Sequence, residues 1–199
     1  MIYETCVMLR PESSEEVITA LKTALTDVTG ERGGEVLLTD DWGVRSLPQS
    51  TKSKLTKCRY IYFIYKGDNT TNKELERRFR INESCDKFIF VKMGEEKNQE
   101  ALIKDYRNPF KSAEDEDRRA DNKEKRDFAK KRTCWFTANK TKAVWREPST
   151  YLWLLNEFGK ISPGRVSGIT SKHQTNATSA IKQARNIGLV GQINNRVAR

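Results

Sequence analysis

Along the first 94 residues the spacing of apolar positions changes period several times, and each change predicts an element. Residues 3–10 read as a strand, which Pro11 ends. Ser13 and Glu16 have the spacing of a capping box. Behind them Val17, Leu21, Ala24, Leu25 and Val28 recur on one helical face until Gly30. Residues 35–47 and 57–66 then read as two strands joined by a polar loop containing Pro48, Ser50 and Ser53. The second strand is dense in β-branched and aromatic residues, from Tyr60 through Ile61, Tyr62, Phe63 and Ile64 to Tyr65, types that pack well on a pleated surface. Thr71 and Glu74 offer another capping box, with Leu75 and Phe79 four apart behind it. Residues 86–92 close the series as a strand carrying Phe88, Ile89, Phe90 and Val91.

The order βαββαβ predicts an α+β domain over residues 1–94, the ferredoxin-like split arrangement in which two helices cover one face of an antiparallel sheet. The other face is left bare and aromatic, so it can stack nucleic-acid bases or bury a protein. An RNA-recognition motif wants glycines among the aromatics of its third strand. Residues 57–65 supply aromatics without glycines and the half is nearly neutral, which favours protein docking. Trp42, Tyr60 and Tyr62 are the candidate contacts with the rest of the chain.

Residues 95–127 lose hydrophobic periodicity and become densely ionic, which predicts a charged linker in which only Leu102, Ile103, Tyr106 and Phe110 could dock. Residues 128–199 read as a small irregular helical domain. A short helix is expected over 148–158, with Tyr151, Leu152, Leu155 and Phe158 on one face and Gly159 as its stop. Residues 159–168 are too rich in Gly and Pro for a regular element. The last helix is expected over 171–186, with Ala177, Ala180, Ile181, Ala184 and Ile187 forming its apolar arc.

Charge sharpens this division. The 199 residues carry a net +10, distributed as +1 over residues 1–94, −2 over 95–127 and +11 over 128–199. Such a one-sided field suits a polyanion, nucleic acid ahead of an anionic membrane. With 36% hydrophobic and 32% charged residues, two modest cores fit better than one large one. No apolar run approaches the roughly 18 residues of a membrane helix, and strand-like sequence follows Met1 directly, so a soluble, unexported chain without a membrane partner is expected. Cys6, Cys58, Cys85 and Cys134 form no CxxC pair, which fits a reducing compartment. His173 is the only histidine, and it falls on the apolar side of the last helix. Without a second histidine or clustered carboxylates, no catalytic triad or metal site assembles. The expectation is therefore a non-enzyme with no catalytic residue, metal, cofactor or small-molecule substrate.

The basic third carries the candidate chemistry. Lys130, Lys131 and Arg132 stand just ahead of Cys134, Trp135 and Phe136, a cluster suited to phosphate contact plus stacking on Trp135. Lys160 and Arg165 project from the constrained Gly/Pro loop. Lys182 and Arg185 lie three apart on a flank of the last helix, where they can face a phosphate backbone.

Two resemblances add to this reading. Tyr3-Glu4, Leu9-Arg10-Pro11 and the run from Trp42 to Leu47 resemble the small-subunit ribosomal protein six family, over about residues 2–94. The string Gly159-Lys160-Ile161-x-Pro163-x-Arg165-x-x-Gly168, with Lys172, Gln174 and the run from Ala180 to Arg185, is similar to the small-subunit ribosomal protein eighteen family, over about residues 128–191. The resemblance places Lys130, Lys131, Arg132, Lys160, Arg165, Lys172, Lys182 and Arg185 among residues that face rRNA. It implies a structural, fused two-protein unit on the platform of the small ribosomal subunit. That unit would bind the central domain of small-subunit rRNA beside neighbouring ribosomal proteins, in a bacterial-type cytoplasmic ribosome or an organellar one. A free RNA-binding regulator or annealing protein is the alternative.

Overall fold

The structure, a computed structural model, describes residues 1–95, 99–110, 134–194 and 196–198. The chain divides into two compact units, Met1–Asn108 and Pro109–Arg199.

In the first unit the elements run β1 (Ile2–Leu9), α1 (Glu15–Glu31), β2 (Glu35–Ser46), β3 (Lys57–Lys66), α2 (Asn69–Ile81), β4 (Cys85–Gly94) and α3 (Gln99–Lys104). The sheet order is β2-β3-β1-β4, and every neighbouring pair is antiparallel. This is the ferredoxin-like βαββαβ arrangement. β3 and β1 are the two central strands. Residues 60–65 of β3 are buried on both faces of the sheet, which is why they are continuously apolar rather than alternating. Ile18, Leu21, Leu25 and Val28 of α1, with Leu75 and Phe79 of α2, pack on Val7, Leu9, Ile61, Phe63 and Tyr65. Phe79 also stacks on Phe90 at 5.9 Å.

Both helices start where the sequence did not place them. α1 begins one residue later than a Ser13 cap requires: Ser14 is the N-cap, extended at φ −65° and ψ 157°, and its side chain makes no capping bond. α2 is capped by Asp68, whose carboxylate accepts from the Thr71 backbone at 2.8 Å, while the Thr71 hydroxyl accepts from the Asp68 N–H. Thr71 thus closes the box from the third helical position instead of opening it. Four hydrogen bonds from the backbone and side chains of Thr70 and Thr71 hold the Asp68 carboxyl down at about 2, chiefly the Thr71 backbone N–H.

Residues 99–108, expected within a charged linker, belong to the first unit: α3 forms there and Tyr106 reaches the sheet. The rest of that segment, 96–98 and 111–127, lies outside the described residues.

The second unit holds α4 (Trp135–Ala138), two 3₁₀ turns (Pro148–Thr150 and Leu152–Leu154), α5 (Gly164–Ser167) and α6 (Ser171–Asn186). The helix expected over 148–158 is therefore replaced by the two tight turns. A bridge between Leu155 and Ile161 follows them. The turns still bury Tyr151, Leu154 and Leu155, because a three-residue repeat also returns side chains to one side. One helical turn, α5, does form in the Gly/Pro segment, and Gly168 ends it in the left-handed conformation at φ 74°. α6 has the expected bounds and buries Ala177, Ala180, Ile181 and Ala184. No described helix is long and apolar enough to cross a membrane.

Candidate nucleic-acid interface

α6 is the spine of the basic unit. Its alanine-rich side is buried, and Lys172 and Lys182 stand exposed on the rest of its surface. Arg165 is exposed on α5. Lys160 is exposed at the end of a tight turn: the Asn156 side chain accepts from the Phe158 and Lys160 backbone N–H groups, at 3.1 and 2.7 Å, and the Asn156 N–H donates to the Lys160 carbonyl at 3.0 Å. Among the described residues, these four cations enter no ion pair.

Arg185 behaves differently. It is half-buried, and its guanidinium donates to the Gly159 carbonyl. Burial pulls its pKa down from the ordinary arginine value. Instead of standing beside Lys182 on an open flank, it ties α6 to the turn that displays Lys160. Lys130, Lys131 and Arg132 lie outside the described residues.

Trp135 is 39% exposed and stands close in sequence to the Lys130–Arg132 cluster. It meets buried Phe136 edge-on at 5.2 Å and tilts over Trp153 at 5.6 Å. Trp153 was not foreseen as part of this cluster, because it falls off the apolar face of the helix expected there. His173 lies against Phe136 with ring centroids 5.4 Å apart, and its Nδ1 is 3.1 Å from both Cys134 Sγ and Thr170 Oγ1. Burial pushes the Cys134 thiol up. The Thr170 and Thr137 backbone N–H groups, the Thr137 hydroxyl and His173 outweigh it and bring the thiol down to about 6. A search for CxxC pairs misses this cluster, whose visible signal is the Cys134-x-x-Thr137 and Thr170-x-x-His173 spacing. Among the described residues, no three His, Cys, Asp or Glu side chains gather as a metal site.

In the first unit four arginines are ion-paired. Arg59 pairs with Glu15 and Asp41, each at 2.6 Å, Glu74 holds Arg77 and Arg78, and Glu76 holds Arg80. On the sheet face away from α1 and α2, a bulge at Asp41–Gly43 inserts Trp42, with Gly43 taking φ 74°. Trp42 stacks on Tyr62 at 5.2 Å and tilts against Tyr60 at 6.2 Å, and all three are buried. Tyr106 extends the stack on Tyr62 at 4.8 Å, accepts from the Trp42 indole at 2.8 Å and donates to Asp40 at 2.6 Å. The three aromatics expected on one face are thus brought together, with a fourth ring from the ionic segment.

Residues 2–92 match the family model described as Ribosomal protein S6, and residues 139–190 the model described as Ribosomal protein S18. The small ribosomal subunit protein bS6 of Geobacter sulfurreducens is 35% identical over 95 residues, covering 48% of this chain and 80% of that protein. The bS18 of Citrifermentans bemidjiense is 44% identical over 69 residues, covering 34% of this chain and 75% of that protein. The chain belongs to both families. A crystal structure of ribosomal protein S6 from Thermotoga maritima is similar to this chain at 19% identity and a TM-score of 0.44, covering 52% of this chain and 96% of that one. The basic excess falls on the S18 half, and the ion-paired arginines fall on the S6 half.

Proposed function

We propose that this chain is a structural constituent of the small ribosomal subunit, in which the S18 half grips small-subunit rRNA and the S6 half is a near-neutral scaffold joined to it covalently. The observation that carries the reading is the distribution of charge, +11 over residues 128–199 against +1 over residues 1–94. Arg59, Arg77, Arg78 and Arg80 of the S6 half pair with neighbouring carboxylates, and Lys160, Arg165, Lys172 and Lys182 of the S18 half are exposed and enter no ion pair among the described residues. Exposed, uncompensated cations on a rigid unit are what phosphate contacts require. Trp135 adds a ring on which an unpaired base can stack. Lys130, Lys131 and Arg132 extend the same role toward the start of the basic region. The families are structural, and the proposed role involves no reaction.

The finer placement follows the same families: the central domain of the rRNA, on the platform, beside neighbouring small-subunit proteins, in a bacterial-type ribosome. Sedimentation tests the function. The tagged chain should travel with the small subunit through a moderate salt wash. Recovery at the top of the gradient would instead mark a free RNA-binding regulator.

A further inference from the structure

Phe158 and Ile193 are large apolar side chains left 71% and 72% exposed, each at the tip of a tightly built turn of the S18 half. The first turn is the Asn156-capped one described above. The second is closed by the Gly191 N–H on the Arg196 carbonyl at 3.0 Å, by the Arg196 N–H on the Asn194 side chain at 3.1 Å, and by the Val190–Val197 bridge. The two turns abut. A Cβ on Gly159, the residue after Phe158, would lie 2.9 Å from the Gln192 carbonyl and from both the N and O of Asn194, the residues on either side of Ile193. Arg185 pins the same spot through the Gly159 carbonyl.

We infer that Phe158 and Ile193 form a rigid apolar tip that receives an unpaired base of the bound RNA, Phe158 stacking on the base and Ile193 closing its edge. The inference rests on the rRNA-binding reading above and assigns a second point of contact to it. Charge favours this occupant: exposed Lys160 and Arg196 flank the tip against the single exposed carboxylate of Glu157, within a half that is strongly cationic. Size favours it as well. Two side chains offer on the order of 300 Å², far short of the roughly 800 Å² per partner of a stable protein interface, yet enough to cover one or two bases. Short apolar wedges between cations are a recurrent means of meeting unstacked bases.

The test uses the full chain and a transcript of the small-subunit rRNA central domain. The affinities and salt dependences of the parent, Phe158→Ala, Phe158→Trp and Ile193→Ala are compared. Because Phe158 is exposed, the variants should melt with the parent. Phe158→Ala should bind between about fivefold and 150-fold more weakly, the range spanned by loss of one base-stacking ring. The slope against salt should be unchanged, since no charge is removed, and Phe158→Trp should restore binding. Ile193→Ala should weaken binding severalfold. An affinity for Phe158→Ala within twofold of the parent would overturn the inference, as would a reduced salt slope, which would mean that Lys160 had been displaced. Intact RNA binding by Phe158→Ala with poor incorporation into subunits would also overturn it and point to a protein at the tip. Failure of the parent to bind the transcript would instead remove the rRNA-binding reading itself.

Discussion

Alanine at Gly159 tests whether the two turns of the S18 half are packed as described. Gly159 has φ 72°, a left-handed conformation that costs a residue bearing a Cβ about 1–2 kcal/mol. The added methyl would also meet three backbone atoms at 2.9 Å. Backbone cannot rotate away as a side chain can, so overpacking adds about 1–3 kcal/mol. Reduced freedom of the unfolded chain returns about 0.4–1 kcal/mol. The net destabilisation is about 1–4.6 kcal/mol, a large share of the roughly 5–15 kcal/mol that holds a domain together. In a unit this small it should lower the melting temperature by at least roughly 5 °C. Thermal and urea melts followed by tryptophan fluorescence, which samples Trp135, Trp145 and Trp153 in this unit, give the number. Gly30→Ala is the matched control. Gly30 lies in α1 with nothing within 4 Å of the added methyl, and the change should stabilise by about 0.5–1 kcal/mol. If Gly159→Ala were as stable as the parent, the close approach of the turns, and with it the rigid tip, would be wrong.

Other consequences are equally direct. Lys182→Gln should weaken binding of the central-domain transcript without moving the melting curve, whereas Arg185→Gln should cost about 1.5–3 kcal/mol of stability by losing its bond to the Gly159 carbonyl; equal melting curves would contradict the assignment. Tyr106→Phe removes the acceptor of the Trp42 indole and should cost about 1–3 kcal/mol in urea unfolding of the S6 half, an effect absent if residues 99–108 do not dock on the sheet. Cys134 has a folded pKa near 6, below its ordinary value of 9.0, so its contribution to stability is present above about pH 9 and is lost as pH falls toward 6. Thiolate absorbance of the folded chain should titrate near pH 6 and vanish in Cys134→Ser; titration near 9 would refute the stabilising role of His173 and the threonine donors.

The strands and the long last helix were legible because their patterns are long and their surroundings reinforce them. Residues 60–65 are apolar on both faces because both faces of β3 are buried there, and residues 171–186 keep one uninterrupted apolar arc. Caps were less legible, since Ser13 and Ser14 differ only in which backbone turns extended, and the Asp68 signal lay three residues ahead of the Thr71 box. Residues 148–158 misled because a three-residue repeat of 3₁₀ turns imitates a short amphipathic helix. Within the proposed site, Lys160, Arg165, Lys172 and Lys182 are exposed. Arg185 was not legible as a tie, because its partner is a carbonyl 26 positions away. Tyr106 was visible only as one apolar residue in an ionic stretch. Its role depends on the Trp42 bulge, which no local pattern reports.

The affinity of the full chain for the central-domain transcript across a range of salt concentrations tests the central claim most directly. The logarithm of the binding constant should fall steeply and linearly with the logarithm of salt. Replacing Lys160, Arg165, Lys172 and Lys182 together with glutamine should reduce that slope by roughly three to four, about 0.9 for each phosphate no longer neutralised. An unchanged slope after the fourfold replacement, with affinity intact, would contradict the assignment of the S18 half as the part that grips RNA.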